Sequence, residues 1–238
     1  MQDGDATAAG YVARASSERG EVVLLRRSGD GALELRVNGV FVMDTAHTST
    51  ERLLATTTLD GPFRDAIPES ARVLIGGLGL GFTLQEVLSD SRIAEAHVVE
   101  IEPAVVEWNR RGLVPDTAAA LRDERVRVST GDIADVLTGA PPESVDVVLL
   151  DVDNGPGYLV YEENAPVYRR DFLATCAGRL SERGLVAIWS ADEAPELAAA
   201  MREVFGDCQE AAIPVVLGSA NTTYHLFLAQ RSPSPAPG

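Results

Sequence analysis

Apolar residues in this chain gather in short continuous runs, and from residue 72 onward these runs alternate with stretches of helical spacing. The pattern predicts strands at 72–76, 96–101, 125–129, 145–151, 184–190, 211–217 and 222–229. Helices are predicted at 83–89, 103–111, 132–138, 167–179 and 193–205. Most of the strands are unbroken Val, Ile and Leu runs, as suits parallel strands covered on both faces. The last two are joined through residues 218–221, too short for a crossover helix, so they must pair antiparallel. The expected fold is α/β: a doubly wound, seven-stranded, mostly parallel sheet with an antiparallel last strand. Ahead of it, residues 21–27 and 32–43 read as short strands, with turns at Ser28-Gly29-Asp30-Gly31 and Asn38-Gly39, forming a small N-terminal β-hairpin region. Residues 48–59 have helical spacing. Residues 1–18 and 232–238 are small, polar or Pro/Ser-rich and are expected to lack fixed structure, leaving 19–60 as the small β region and 61–231 as the main domain.

The first strand of the alternating part runs into Gly76-Gly77-Leu78-Gly79-Leu80-Gly81 and then into a helix. A second strand ends on the acids Glu100 and Glu102, the spacing at which a βαβ unit returns beside its first strand. Glycines at such a turn allow positive φ and close approach of a ligand to the backbone, and an acid at the next strand end can accept from ribose hydroxyls. The dinucleotide pattern G-x-G-x-x-G fails because residue 82 is Phe. Gly77, Gly79 and Gly81 instead match the G-x-G-x-G of proteins that bind S-adenosylmethionine, which makes 61–231 a Rossmann-like domain for that nucleoside; tight strand-to-helix packing is the alternative role for the glycines. In an open parallel sheet, ligands lie beyond the carboxyl ends of the strands, and here those ends carry the glycine turn, Glu100, Gly131-Asp132 and Asp151-Val152-Asp153-Asn154. Asp132 is placed to cap a helix or to accept from an adenine amino group. Tyr158, Tyr161 and Tyr168 follow on a Gly/Pro loop, able to wall the pocket or to cover the core. His47 and Glu51 fall at i, i+4, and on the residues alone a surface histidine and a solvated acid are the simpler reading.

Composition removes several function classes. The formal charge is −16 in 238 residues, which argues against phosphate-backbone binding and for a cationic or neutral small substrate rather than nucleic acid. All 20 basic residues are Arg, so there is neither a Walker-type phosphate lysine nor a lysine for Schiff-base chemistry. Cys176 and Cys208 have no metal-ligand spacing, so no metal is expected, and a free thiol pair suits a cytoplasmic protein. No apolar run long enough for a membrane span or a signal peptide is evident.

The ordered series GGLGLGFTLQEVL, VVEIEP, Gly131-Asp132, LLDVDNGPG and RGLVAIW resembles the spermidine synthase-like family, the polyamine aminopropyltransferases within the class I methyltransferase fold, over about residues 20–230. The N-terminal segment VNGVFVMDTAHTSTERLL is similar to the family segment that ends in a His/Glu pair. The resemblance implies that Gly77, Gly79 and Gly81 cradle the nucleoside and its methionine-derived portion, Glu100 binds the ribose and Asp132 the adenine. It implies that Asp151, with Asp153, orients and deprotonates an attacking amine, and that Glu51, Asn154 and Tyr158 contact that substrate. The co-substrate would be S-adenosylmethionine or its decarboxylated form, the partner a small amine, and a homodimer is allowed. Two motifs depart from the family. Its GGGDGG turn has no acid here, and its D-S-S-D-P reads Asp151-Val152-Asp153-Asn154-Gly155, so the second acid is replaced by Asn154 or shifted to Asp153. Transfer of an alkyl group such as aminopropyl to an amine is therefore expected, with S-adenosylmethionine-dependent methyl transfer and non-catalytic nucleoside binding as alternatives.

Overall fold

A computed structural model describes residues 10–153, 155–217 and 220–232. The seven runs of the main domain form strands β5 (Ala71–Gly76), β6 (Ile93–Glu100), β7 (Val126–Thr130), β8 (Val145–Leu150), β9 (Leu180–Ser190), β10 (Gln209–Leu217) and β11 (Ala220–Gln230). They hydrogen-bond in the order β10-β11-β9-β8-β5-β6-β7. β5 pairs in parallel with both β6 and β8, while β11 runs antiparallel to its neighbours β9 and β10, as the short connection requires. The chain leaves β5 toward β6 and β7 and then returns to β8 on its other side. That reversal opens a crevice at the carboxyl ends of β5 and β8.

Side-chain alternation divides the strands between two cores. Ile75, Leu149, Ala187 and Leu226 face α1 (Ser49–Leu59), α2 (Phe82–Ser89) and α3 (Pro103–Arg110) in one buried cluster. Leu74, Val148, Ile188 and Phe227 face α5 (Ile133–Gly139), α6 (Arg170–Arg179) and α7 (Pro195–Phe205) in the other. Both faces are covered, which is why the strands read as continuous apolar runs. A short helix that the periodicity does not announce, α4 (Pro115–Ala120), starts on its proline and packs against α2 and α3.

The N-terminal region is larger than expected. Four strands, β1 (Gly10–Ser17), β2 (Gly20–Arg26), β3 (Leu33–Val37) and β4 (Val40–Asp44), form an antiparallel sheet in sequence order. Residues 10–17, expected to lack fixed structure, thus pair with β2 along their length. Their small and charged residues hide the signal, yet Val12, Ala13 and Ala15 pack on the first core. Residues 1–9 and 233–238 lie outside the described residues. The expected boundary near residue 60 is not a break in packing either, because Val22, Leu24 and Leu35 of the small sheet share one core with Val73 and Ile75 of the large one. No helix among the described residues is long and apolar enough to cross a membrane.

Candidate active site

The crevice between β5 and β8 is a pocket enclosing about 730 Å3 of empty space, its open mouth included. The glycine turn forms its floor. Gly77 has φ +95°, and a Cβ there would lie 2.1 Å from the Asp151 carbonyl oxygen, so no side chain fits where the turn passes under β8. Gly79 has φ +51°, and its missing side chain faces the Met43 sulfur of β4. That sulfur also accepts the Leu80 N–H at 3.0 Å, which binds the small sheet to the turn. Gly81 begins α2 against Thr117 of α4 and stands behind the pocket rather than in its lining.

Glu100 ends β6 and is buried beneath this turn. Its Oε2 accepts the Leu78 and Gly79 N–H groups at 2.8 and 3.4 Å, and its Oε1 accepts the Glu102 N–H at 2.9 Å. Burial raises its pKa, the three N–H donors oppose the rise, and the neighbouring Glu102 charge adds to it. Asp132 caps α5, Oδ1 accepting the Ala134 N–H at 2.8 Å, and still lines the pocket. The two roles read for Asp132 from sequence are thus compatible in space.

The acids after β8 are held differently. Asp151 accepts one side-chain bond, from the Thr83 hydroxyl to Oδ2 at 2.6 Å. Burial, less the effect of that hydroxyl and with Glu100 repulsion added, pushes its pKa up to about 6. Asp153 sits at φ +52°, a left-handed conformation that costs a non-glycine residue about 1 kcal/mol or more. Its Oδ1 accepts the Val160 N–H at 3.1 Å, while Oδ2 is buried with no hydrogen-bond partner, the Asn164 amide near this carboxyl not meeting Oδ2 in hydrogen-bonding geometry. Burial, against the Asn164 amide and the backbone N–H groups, raises the Asp153 pKa as well.

Of the residues singled out from sequence, Gly77, Gly79, Glu100, Asp132, Asp151 and Asp153 converge on this one pocket. Tyr158 does not: it is 61% exposed and outside the lining. Tyr161 and Tyr168 of the same loop turn inward instead, Tyr161 lining the pocket and Tyr168 donating to the Val152 carbonyl at 2.6 Å. The side chain of Glu51 and all of Asn154 lie outside the described residues. His47 faces Asp44, with Nδ1 3.1 Å from Oδ1. Sequence reasoning missed Glu102 as a lining residue, although its position as the second acid after β6 was visible. It also missed the apolar roof of Leu35, Val37 and Val42 from the small sheet, which no local motif marks.

A buried acidic crevice at the switch point of the sheet, floored by a glycine turn, defines a doubly wound, Rossmann-like α/β protein. Residues 63–218 match the model of the spermine/spermidine synthase domain, and the chain belongs to that family. It is 30% identical over 174 residues to a polyamine aminopropyltransferase of Mycobacterium tuberculosis, covering 71% of this chain and 30% of that protein. It is 34% identical over 123 residues to putrescine N-methyltransferase 2 of Nicotiana tabacum, covering 51% of this chain and 33% of that protein. The chain thus spans about a third of the length of these curated relatives. Spermidine synthase from Thermotoga maritima superposes with a TM-score of 0.75 at 18% identity, covering 95% of this chain and 74% of that one. A spermidine synthase in complex with the transition-state analogue AdoDATO gives 0.76 at 19% identity, covering 95% and 75%.

Proposed function

We propose that this chain transfers the aminopropyl group of decarboxylated S-adenosylmethionine to an amine. One observation carries the reading: Glu100, Glu102, Asp132, Asp151 and Asp153 line a single pocket that has no Arg, Lys or His among its described lining residues. Such a pocket favours ligands that bring positive charge, and this reaction brings a sulfonium, the ammonium of the aminopropyl chain and an acceptor amine.

The glycine turn supports the choice of donor. Every backbone N–H from Gly77 to Gly81 already donates within the protein: to the Val99 carbonyl, Glu100 twice, the Met43 sulfur and the Leu78 carbonyl. A donor that kept its carboxylate would meet five acids and no free N–H in this turn. Selection against the carboxylate then needs no acid within the turn itself.

The chemistry asks for a base and for alignment. The sulfonium makes its attached carbon electrophilic. An amine nitrogen attacks that carbon in line, the N–C bond forms, and the C–S pair returns to sulfur as a neutral thioether. The acceptor arrives as an ammonium without a lone pair, so Asp151 takes its proton; with a pKa of about 6 it is ionised at neutral pH and is a stronger base than an exposed carboxylate. The unpaired Oδ2 of Asp153 supplies a second acceptor for the amine's N–H groups. Holding both reactants in line can contribute roughly 7 to 11 kcal/mol to the rate.

Methyl transfer from intact S-adenosylmethionine to the same kind of acceptor is the second reading, favoured by the likeness to a putrescine N-methyltransferase. Incubating the protein with a diamine and each donor in turn, then weighing the amine product by mass spectrometry, separates the two. Gain of an aminopropyl group from the decarboxylated donor is the expected result; gain of a methyl group from the intact donor replaces this reading with the second.

A further inference from the structure

The segment between β8 and α6 leaves the sheet at Asp151, turns through the left-handed Asp153 and comes back over the pocket. Two ties close it on itself: the Val160 N–H to Asp153 Oδ1, and the Tyr168 hydroxyl to the Val152 carbonyl. A third tie leaves the segment altogether. Tyr161 is 7% exposed, and its hydroxyl donates to Glu102 Oε1 at 3.0 Å, 59 residues away in sequence. The same oxygen accepts the Ser17 hydroxyl of β1 at 3.3 Å. Among the described residues those two hydroxyls are the side-chain partners of this carboxylate, which is 3% exposed.

Glu102 is therefore a post to which three parts of the molecule are fastened: the segment after β8 through Tyr161, the small sheet through Ser17, and Glu100 through the Glu102 N–H. Tyr161 stands next to Val160, the residue that holds Asp153, so a displacement of Tyr161 is passed directly to the Asp153 carboxyl. Asp153 needs such support because its backbone conformation is intrinsically unfavourable and its Oδ2 has no partner of its own.

We infer that Tyr161 is a positioning residue for the acceptor amine: its hydrogen bond to Glu102 pins the segment after β8 so that Asp153 faces the pocket beside Asp151. The inference rests on the amine-transfer reading above. It assigns Glu102 a second task, as the hydrogen-bond acceptor that holds Tyr161, beside the charge it brings to the pocket.

Three variants test it: Tyr161→Phe, Glu102→Ala and Glu102→Gln. Tyr161→Phe keeps the ring and removes the donor, and is expected to raise the KM for the amine about tenfold while kcat and the donor Kd stay within about twofold. Glu102→Ala is expected to raise the amine KM by a similar factor, and the Glu102 N–H to Glu100 survives in every variant. Glu102→Gln is expected to recover most of the loss, because an amide oxygen still accepts from both hydroxyls. Hydrogen exchange over residues 155–168 provides a readout independent of turnover, and should be faster in Tyr161→Phe than in the wild type. An unchanged amine KM in Tyr161→Phe overturns the inference, as does a Glu102→Gln variant as impaired as Glu102→Ala, which would make the charge the essential feature. Donor affinity that weakens in step with the amine KM also overturns it, by showing a general loss of structure. A wild type that modifies no amine refutes the functional reading instead, and exchange then decides alone: unaltered rates in Tyr161→Phe would mean the bond pins nothing.

Discussion

The two halves of the pocket are built from the same residue type in opposite ways. On the side of β6 and β7 the backbone supplies the donors: Glu100 is saturated by three N–H groups, and Asp132 accepts one as a helix cap. On the side of β8, Asp151 has one hydroxyl donor, and Asp153 sits in a strained conformation with an oxygen unpaired. A saturated acid is a fixed acceptor, suited to a ligand that must always lie in one place. An unsaturated buried acid keeps capacity for a cation or a proton, at a desolvation cost that the rest of the fold offsets. On the proposed reading the first half holds the nucleoside and the second the reacting amine.

Breaking the second half should have the largest effect. Asp151→Asn is expected to lower kcat about a thousandfold while donor affinity stays within about twofold, measured by turnover and calorimetry side by side. The same variant should be more stable than the wild type at pH 8. A carboxyl whose folded pKa is raised contributes stability that is present below its ordinary 3.8 and is lost as pH rises through about 6, and Asn has no such loss; thermal melts at pH 8 and pH 4 check the sign. Next comes Asp153→Asn, for which the amine KM should rise about tenfold with the donor Kd little changed. The pH profile of kcat/KM sharpens the comparison further: it should fall about tenfold per unit below pH 6 as the free protein's Asp151 is protonated. Smallest is Asp132→Ala, which removes a helix cap worth about 1 kcal/mol of stability and should weaken donor binding rather than amine binding.

The same division marks what the sequence discloses. The side of the glycine turn, β6 and β7 is legible because strands covered on both faces read as continuous runs, and their carboxyl ends carry the glycine turn, Glu100 and Asp132 in order. The side of β8 is only half legible. Asp151 ends a strand and could be placed, but Tyr158 and Tyr161 lie three residues apart on a segment without periodicity. Which of them faces inward is set by the left-handed turn at Asp153 and by a bond to Glu102, both invisible in one dimension. Residues 10–17 were hidden for a different reason: the edge strand is mostly Gly, Ala, Ser and Arg, with Tyr11 and Val12 its only large apolar residues, and its partner β2 is the richer in Val and Leu. The roof of Leu35, Val37 and Val42 could be read as strand, but its placement over the pocket comes from packing between two sheets.

The most direct test of the proposal that this pocket admits cations and rejects carboxylates is calorimetric titration of the wild-type protein with decarboxylated S-adenosylmethionine and, separately, with the intact form. Tighter binding of the decarboxylated donor is the expected result, and it would show that five acids and a glycine turn with no free N–H discriminate without an acid in the turn. Tighter binding of the intact form would contradict the account, because the pocket would then have to supply a carboxylate partner that its described lining residues do not include.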